Sequence, residues 1–152
     1  MSEFMDEALK EAYEGIRAGH GGPFGCVIVR DGKIVGRGHN RVMLKQDPTC
    51  HGEMEAIRDA CQNLGTHDLS GCVLYTTAEP CPMCLGGILW SNIGVAVYGC
   101  NVSDTDKIGF RDDVFYRYLN GEKNILELKE ENREECLKLF KEYQDNPDNM
   151  RY

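Results

Sequence analysis

The chain has no excess of positive charge. Seventeen Lys and Arg stand against 25 Asp and Glu, giving a net charge of −8 and a pI near 5.0. Neutralising phosphates takes clustered cations, so this balance argues against a nucleic-acid partner. A small, uncharged substrate suits it better. Nor does any run approach the ~20 apolar residues of a membrane span, which excludes a membrane-spanning helix as an expectation. The opening stretch MSEFMDEALKEAY is acidic and amphipathic and lacks the apolar centre of a secretory signal. Internal repeats and low-complexity tracts are also missing. With 152 residues, the expectation is a single domain over 1–152, large enough to bury a core without staples.

Cysteine, by contrast, is abundant, with eight in the chain. Without an export signal the thiols are expected to be reduced and the protein cytoplasmic. A disulfide framework is thereby demoted, and the Cys81-x-x-Cys84 pair in TTAEPCPMCLGG points to metal binding or catalysis. Cys26, Cys61, Cys72, Cys100 and Cys136 read as small buried hydrophobes. Cys50, beside His51, fits either class.

Hydrophobic spacing predicts an amphipathic helix over 3–18, ended by Gly19. After the turn GGPFG, the text CVIVRDGKIVGRGHN reads as two strands about an Asp31-Gly32 hairpin. A polar connection leads to a helix over about 51–64. A short buried strand, 72–77, runs into the cysteine motif, and Pro82 suits the first turn of a helix over 82–91. Another strand follows at 94–100, then a helix over 105–119, a last strand at 124–129 and a last helix over 131–143. The tail 144–152 has no periodicity. Strand–helix–strand order with apolar strands implies a parallel portion of sheet. The expected fold is α/β: a three-layer α/β/α sandwich around a mixed sheet of about five strands.

His51, Cys81 and Cys84 offer one nitrogen and two sulfurs, a set suited to zinc. His51 stands where one predicted helix begins, and Cys81 and Cys84 at the start of another, whose positive end favours thiolate over thiol. Three protein ligands leave one tetrahedral position for water, whose pKa falls to about 7 on zinc. Glu53, two residues after His51, is not a ligand and is free to move protons. A redox pair would need neither His51 nor Glu53. A structural zinc site would need a fourth ligand, for which Cys50 or His67 could be nominated. H-x-E followed by P-C-x-x-C is the described signature of zinc-dependent base deaminases.

On these residues, and on GGPFGCVIV, GHN, DPTCHGEMEAIR, LYTTAEPCPMCLGGILW, GFRDD and the terminal Tyr, the chain resembles the cytidine deaminase superfamily. Within it, the chain looks like the bacterial guanine deaminases. The resemblance implies one zinc per subunit at His51, Cys81 and Cys84, with a catalytic water and Glu53 as proton shuttle. It implies that Asn40 bonds the base edge, that Phe24 and Trp90 wall the ring, and that Asp112 contacts the base and helps proton transfer. It implies that Tyr152 closes the pocket, in a homodimer whose segment 144–152 is exchanged between subunits. The implied reaction converts guanine to xanthine plus ammonia in purine metabolism. Two departures stand out: His51-Gly52-Glu53 has glycine where the family usually has alanine, a form shared with fungal cytosine deaminases, and Arg111 replaces the first of two expected aspartates, shifting the acidic pair to Asp112-Asp113 and leaving Asp113 as the alternative to Asp112. They keep cytosine, or another small base or nucleoside, as the alternative substrate, with tRNA adenosine less favoured. For that last reading the segment 120–152 is too acidic, with six Lys/Arg against nine Asp/Glu.

Overall fold

A computed structural model describes residues 2–152. Helix α1 (Glu3–Arg17) leads through the glycine turn to strands β1 (Gly25–Arg30) and β2 (Lys33–His39). A one-turn helix, α2 (Val42–Lys45), follows where only a connection was expected. Then come α3 (Gly52–Leu64), β3 (Val73–Ala78), α4 (Pro82–Trp90) and β4 (Val95–Cys100). The chain ends with α5 (Val102–Lys107), α6 (Asp112–Leu119) and α7 (Arg133–Asp145). The single helix expected at 105–119 is thus two. Gly109, at φ 100°, turns the backbone between them in a way that side-chain-bearing residues resist.

The sheet runs β2-β1-β3-β4, with β1 antiparallel to both its neighbours and β3 parallel to β4. Helix α4 makes the crossover that a parallel pair requires. Side chains alternate across β1. Cys26 and Ile28 join Ala56, Ile57, Ala60, Leu74 and Ile88 on the α3/α4 side. Val27 and Val29 join Ala8 and Phe4 under α1. Both faces of β1 are therefore covered, which makes the three layers. Helix α1 sits so close that a Cβ on Gly25 would lie 2.1 Å from the Ala8 carbonyl oxygen.

Two expectations are corrected. The sheet has four strands, because 124–129 pairs with nothing among the described residues and is exposed throughout. Its alternating pattern marks a segment suited to half-burial, but none of the described residues buries it. Cys100 and Cys136 are exposed, one ending the edge strand β4 and the other on α7. Cys26 and Cys72 are buried, and Cys61 packs partly against the core. No helix is long and apolar enough to cross a membrane among the described residues.

Candidate active site

Two helices aim their N-termini at one point. His51 is the N-cap of α3 and Cys81 the N-cap of α4, both in extended backbone conformation. Cys84 lies one turn into α4, where its N–H donates to the Cys81 sulfur at 3.5 Å. The positive ends of both helices thus face the two sulfurs. His51 Nδ1 stands 3.5 Å from each Sγ, and all three donor atoms lie within 4.8 Å of one another. Tetrahedral zinc, with bonds of about 2.3 Å to sulfur and 2.0 Å to nitrogen, holds such donors about 3.6 Å apart. The site fits zinc, and no fourth protein donor joins the cluster among the described residues.

Thiols this close share a proton. A hydrogen bond from the Cys84 thiol holds Cys81 well below its usual range, at about 4, helped by His51. The same bond, with burial and Glu53, pushes Cys84 upward. Pro80, just before Cys81, is braced by a hydrogen bond donated from the Tyr116 hydroxyl on α6.

Glu53 is 5 % exposed, one residue into α3. Its Oε1 accepts a 2.6 Å hydrogen bond from the Thr76 hydroxyl on β3. Beside it, Gly52 meets the chain entering β1: a Cβ there would stand 3.0 Å from the Phe24 carbonyl oxygen. Any larger residue at 52 therefore shifts the Phe24 wall.

His51, Cys81 and Glu53 line a cavity of about 520 Å³ with Gly21, Gly22, Phe24, Asn40 and Asp112. That volume is ordinary for a small-molecule site. Phe24 meets Phe110 edge-to-face, centroids 4.9 Å apart. Asn40 is buried, and its Oδ1 accepts from the Val42 N–H at 3.1 Å. Its side-chain NH2 has no partner among the described residues and is left to donate. Burial raises the Asp112 carboxyl, as does the negative Cys81. Asp113 instead pairs with Arg117 at 2.9 Å.

Trp90 and Tyr152 are not brought to this cavity in their own chain. Trp90 ends α4, nine residues and so about 13 Å along the helix from Cys81, and is 67 % exposed. Tyr152 packs on Trp90 and His67, with centroids 5.9 and 6.1 Å away. His67, one nominee for a fourth ligand, thus meets the tail rather than the metal cluster. Cys50 accepts a 3.8 Å contact from Arg58. Sequence reading missed Thr76, which looks like any strand threonine, and gave no role to Phe110, although GFRDD contains it.

The description "Cytidine and deoxycytidylate deaminase zinc-binding region" matches residues 1–100. The chain belongs to this deaminase family. Within the family, a Bacillus subtilis guanine deaminase is 46 % identical over 117 residues, covering 77 % of this chain and 75 % of that one. A solved structure of Bacillus subtilis guanine deaminase superposes with a TM-score of 0.93 at 38 % identity, over 100 % of this chain and 99 % of that one. A tRNA-specific adenosine deaminase from Buchnera aphidicola is 37 % identical over 143 residues, covering 93 % and 92 %. The deaminase family accounts for the zinc triad at the two helix starts.

Proposed function

We propose that this chain is a zinc-dependent guanine deaminase of purine metabolism, turning guanine and water into xanthine and ammonia. The observation that carries this reading is one cavity lined by His51 and Cys81 of the His51–Cys81–Cys84 set, the buried Glu53 and the uncommitted amide of Asn40. The likeness to the Bacillus guanine deaminase over the whole chain favours guanine as the base. The net charge of −8 disfavours a tRNA substrate.

His51, Cys81 and Cys84 hold the zinc. When bound, zinc makes a solvent oxygen nucleophilic at neutral pH by Lewis-acid polarisation. Glu53 takes a proton from the water as its oxygen bonds to C2 of the base, and delivers that proton to N3. It then takes the second proton of the same oxygen and gives it to the exocyclic nitrogen. The C2–N bond breaks, ammonia leaves and a carbonyl forms at C2. An amine of this kind leaves only once protonated, so a positioned acid must deliver that proton, the role given to Glu53 with Asp112 assisting. Thr76 holds that carboxylate in place. Asn40 donates to the base edge, Phe24 packs on the ring with Phe110 behind it, and Asp112 contacts the base and assists proton transfer.

The assembly we propose is a cytoplasmic homodimer with exchanged C-terminal segments. All eight cysteines are free, which supports a reducing compartment. Every residue of the edge strand β4 is exposed, with Val95, Val97 and Tyr98 among them, and α7 exposes Leu137, Leu139 and Phe140. Unpaired edges and apolar faces of this kind are covered in stable proteins. Exchange would carry Tyr152 toward the partner's cavity.

Zinc-loaded protein assayed for ammonia on guanine, cytosine, guanosine and adenosine tests the substrate. Guanine is expected to be turned over with the highest kcat/KM. No ammonia from guanine refutes the reading, and a preference for cytosine replaces it with the pyrimidine alternative.

A further inference from the structure

Three side chains outside the zinc site form a buried chain of hydrogen bonds. Glu11 on α1 is 6 % exposed, and its Oε2 lies 2.8 Å from Nδ1 of His39, itself 2 % exposed. Nε2 of His39 lies 2.8 Å from Nδ1 of His20, and the two rings are nearly parallel, 13° apart. The polarity of this chain follows from its end. When both imidazoles are neutral, an ionised Glu11 only accepts, so His39 Nδ1 carries the hydrogen and its Nε2 accepts from a hydrogen on His20 Nδ1. Both bonds therefore point toward Glu11. Helix α1 also closes on the imidazole by packing: a Cβ on Gly15, one turn after Glu11, would stand 2.6 Å from the His39 ring.

The location of the chain gives it a role. His20 immediately precedes Gly21, and His39 immediately precedes Asn40, and both Gly21 and Asn40 line the cavity. Those two wall residues touch, since a Cβ on Gly21 would lie 2.0 Å from Asn40 Oδ1. The His20 carbonyl also accepts from the N–H groups of Met43 and Leu44, anchoring α2, and the Asn40 N–H donates to the Phe24 carbonyl at 2.9 Å. The imidazole pair thus ties together, one residue back from the surface, the two segments that meet the base.

We infer that Glu11, His39 and His20 are positioning residues for base recognition, fixing the Asn40 amide against Gly21 through the buried Glu11–His39–His20 chain. The inference rests on the reading of Asn40 as a base-edge donor. It assigns these residues to substrate affinity and not to the chemical step, because none of the three lines the cavity with Glu53.

His20 is the half-buried end of the chain and the place to cut it. With His20→Leu, KM for guanine is expected to rise about tenfold, with kcat within about twofold and zinc unchanged, as for supports of a binding group. With His20→Gln, whose amide still donates to His39, KM is expected to stay within about twofold of the parent. An unchanged KM in His20→Leu, a fall in kcat at constant KM, or a glutamine variant as impaired as the leucine one overturns the inference. A second readout needs no substrate. In 15N spectra of the zinc-loaded protein, His39 and His20 are expected as Nδ1–H species, and His20→Leu is expected to move the Asn40 side-chain amide signals. If the parent deaminates no base, the proposed function has failed and these spectra decide the relay alone. Unmoved Asn40 signals then overturn it.

Discussion

The Thr76 hydroxyl donates to Glu53 across the junction of β3 and α3, at 2.6 Å, with Thr76 wholly buried. The bond ties the carboxylate proposed to move protons to the middle of the sheet. A group that must hand protons to two different nitrogens works only if it is held within reach of both.

Thr76→Val keeps the shape and removes this donor. kcat on guanine is expected to fall about 10- to 100-fold, with zinc content unchanged. Stopped-time ammonia assays alongside metal analysis check it. A valine variant with parental kcat would show that Glu53 needs no such anchor.

Glu55 makes a different prediction, about stability. Its side chain is 5 % exposed and is met by Arg41 at 3.1 Å, Lys45 at 2.8 Å and Arg58 at 2.9 Å. Burial alone would raise its carboxyl, but hydrogen bonds from Lys45, Cys50, Arg41 and Arg58 outweigh it and hold the group at about 2. A carboxyl lowered on folding contributes stability that is full above its ordinary pKa near 4.5 and is lost as pH falls toward 2. The size is on the order of 3 kcal/mol. Glu55→Gln is therefore expected to lower the urea midpoint at pH 7 and to differ progressively less from the parent below about pH 4.5. A gap that stays constant from pH 7 to pH 3 would contradict this account of the three cations.

How much of this was legible in the sequence follows from what makes patterns. Strands β1 to β4 were readable because burial imposes alternation or continuous apolar text on them. Residues 124–129 carry the same pattern without a partner among the described residues, and local text cannot say where a partner lies. His51, Cys81 and Cys84 were readable because a metal demands fixed spacing on helix starts. Glu11, His20 and His39 follow no spacing rule: α1 packed on β2 brings them together, and only the fold shows it. Trp90 stands away from the cavity of its own chain because it ends the helix that the metal motif begins.

The tail supplies a further test. Deleting 144–152 removes Tyr152 from Trp90 and His67 and, in the exchanged dimer, from the partner's cavity. Turnover is expected to fall at least about tenfold while zinc stays bound. Full turnover after truncation would remove the tail from the active site.

The account depends most on a carboxylate that is close to the metal and not bound to it. Glu53→Gln, prepared with zinc, tests this in one measurement of ammonia from guanine together with metal content. The expected result is one zinc per chain, a parental melting temperature and activity reduced by at least about 10³-fold. Undiminished ammonia release from a zinc-replete, folded Glu53→Gln protein would contradict it.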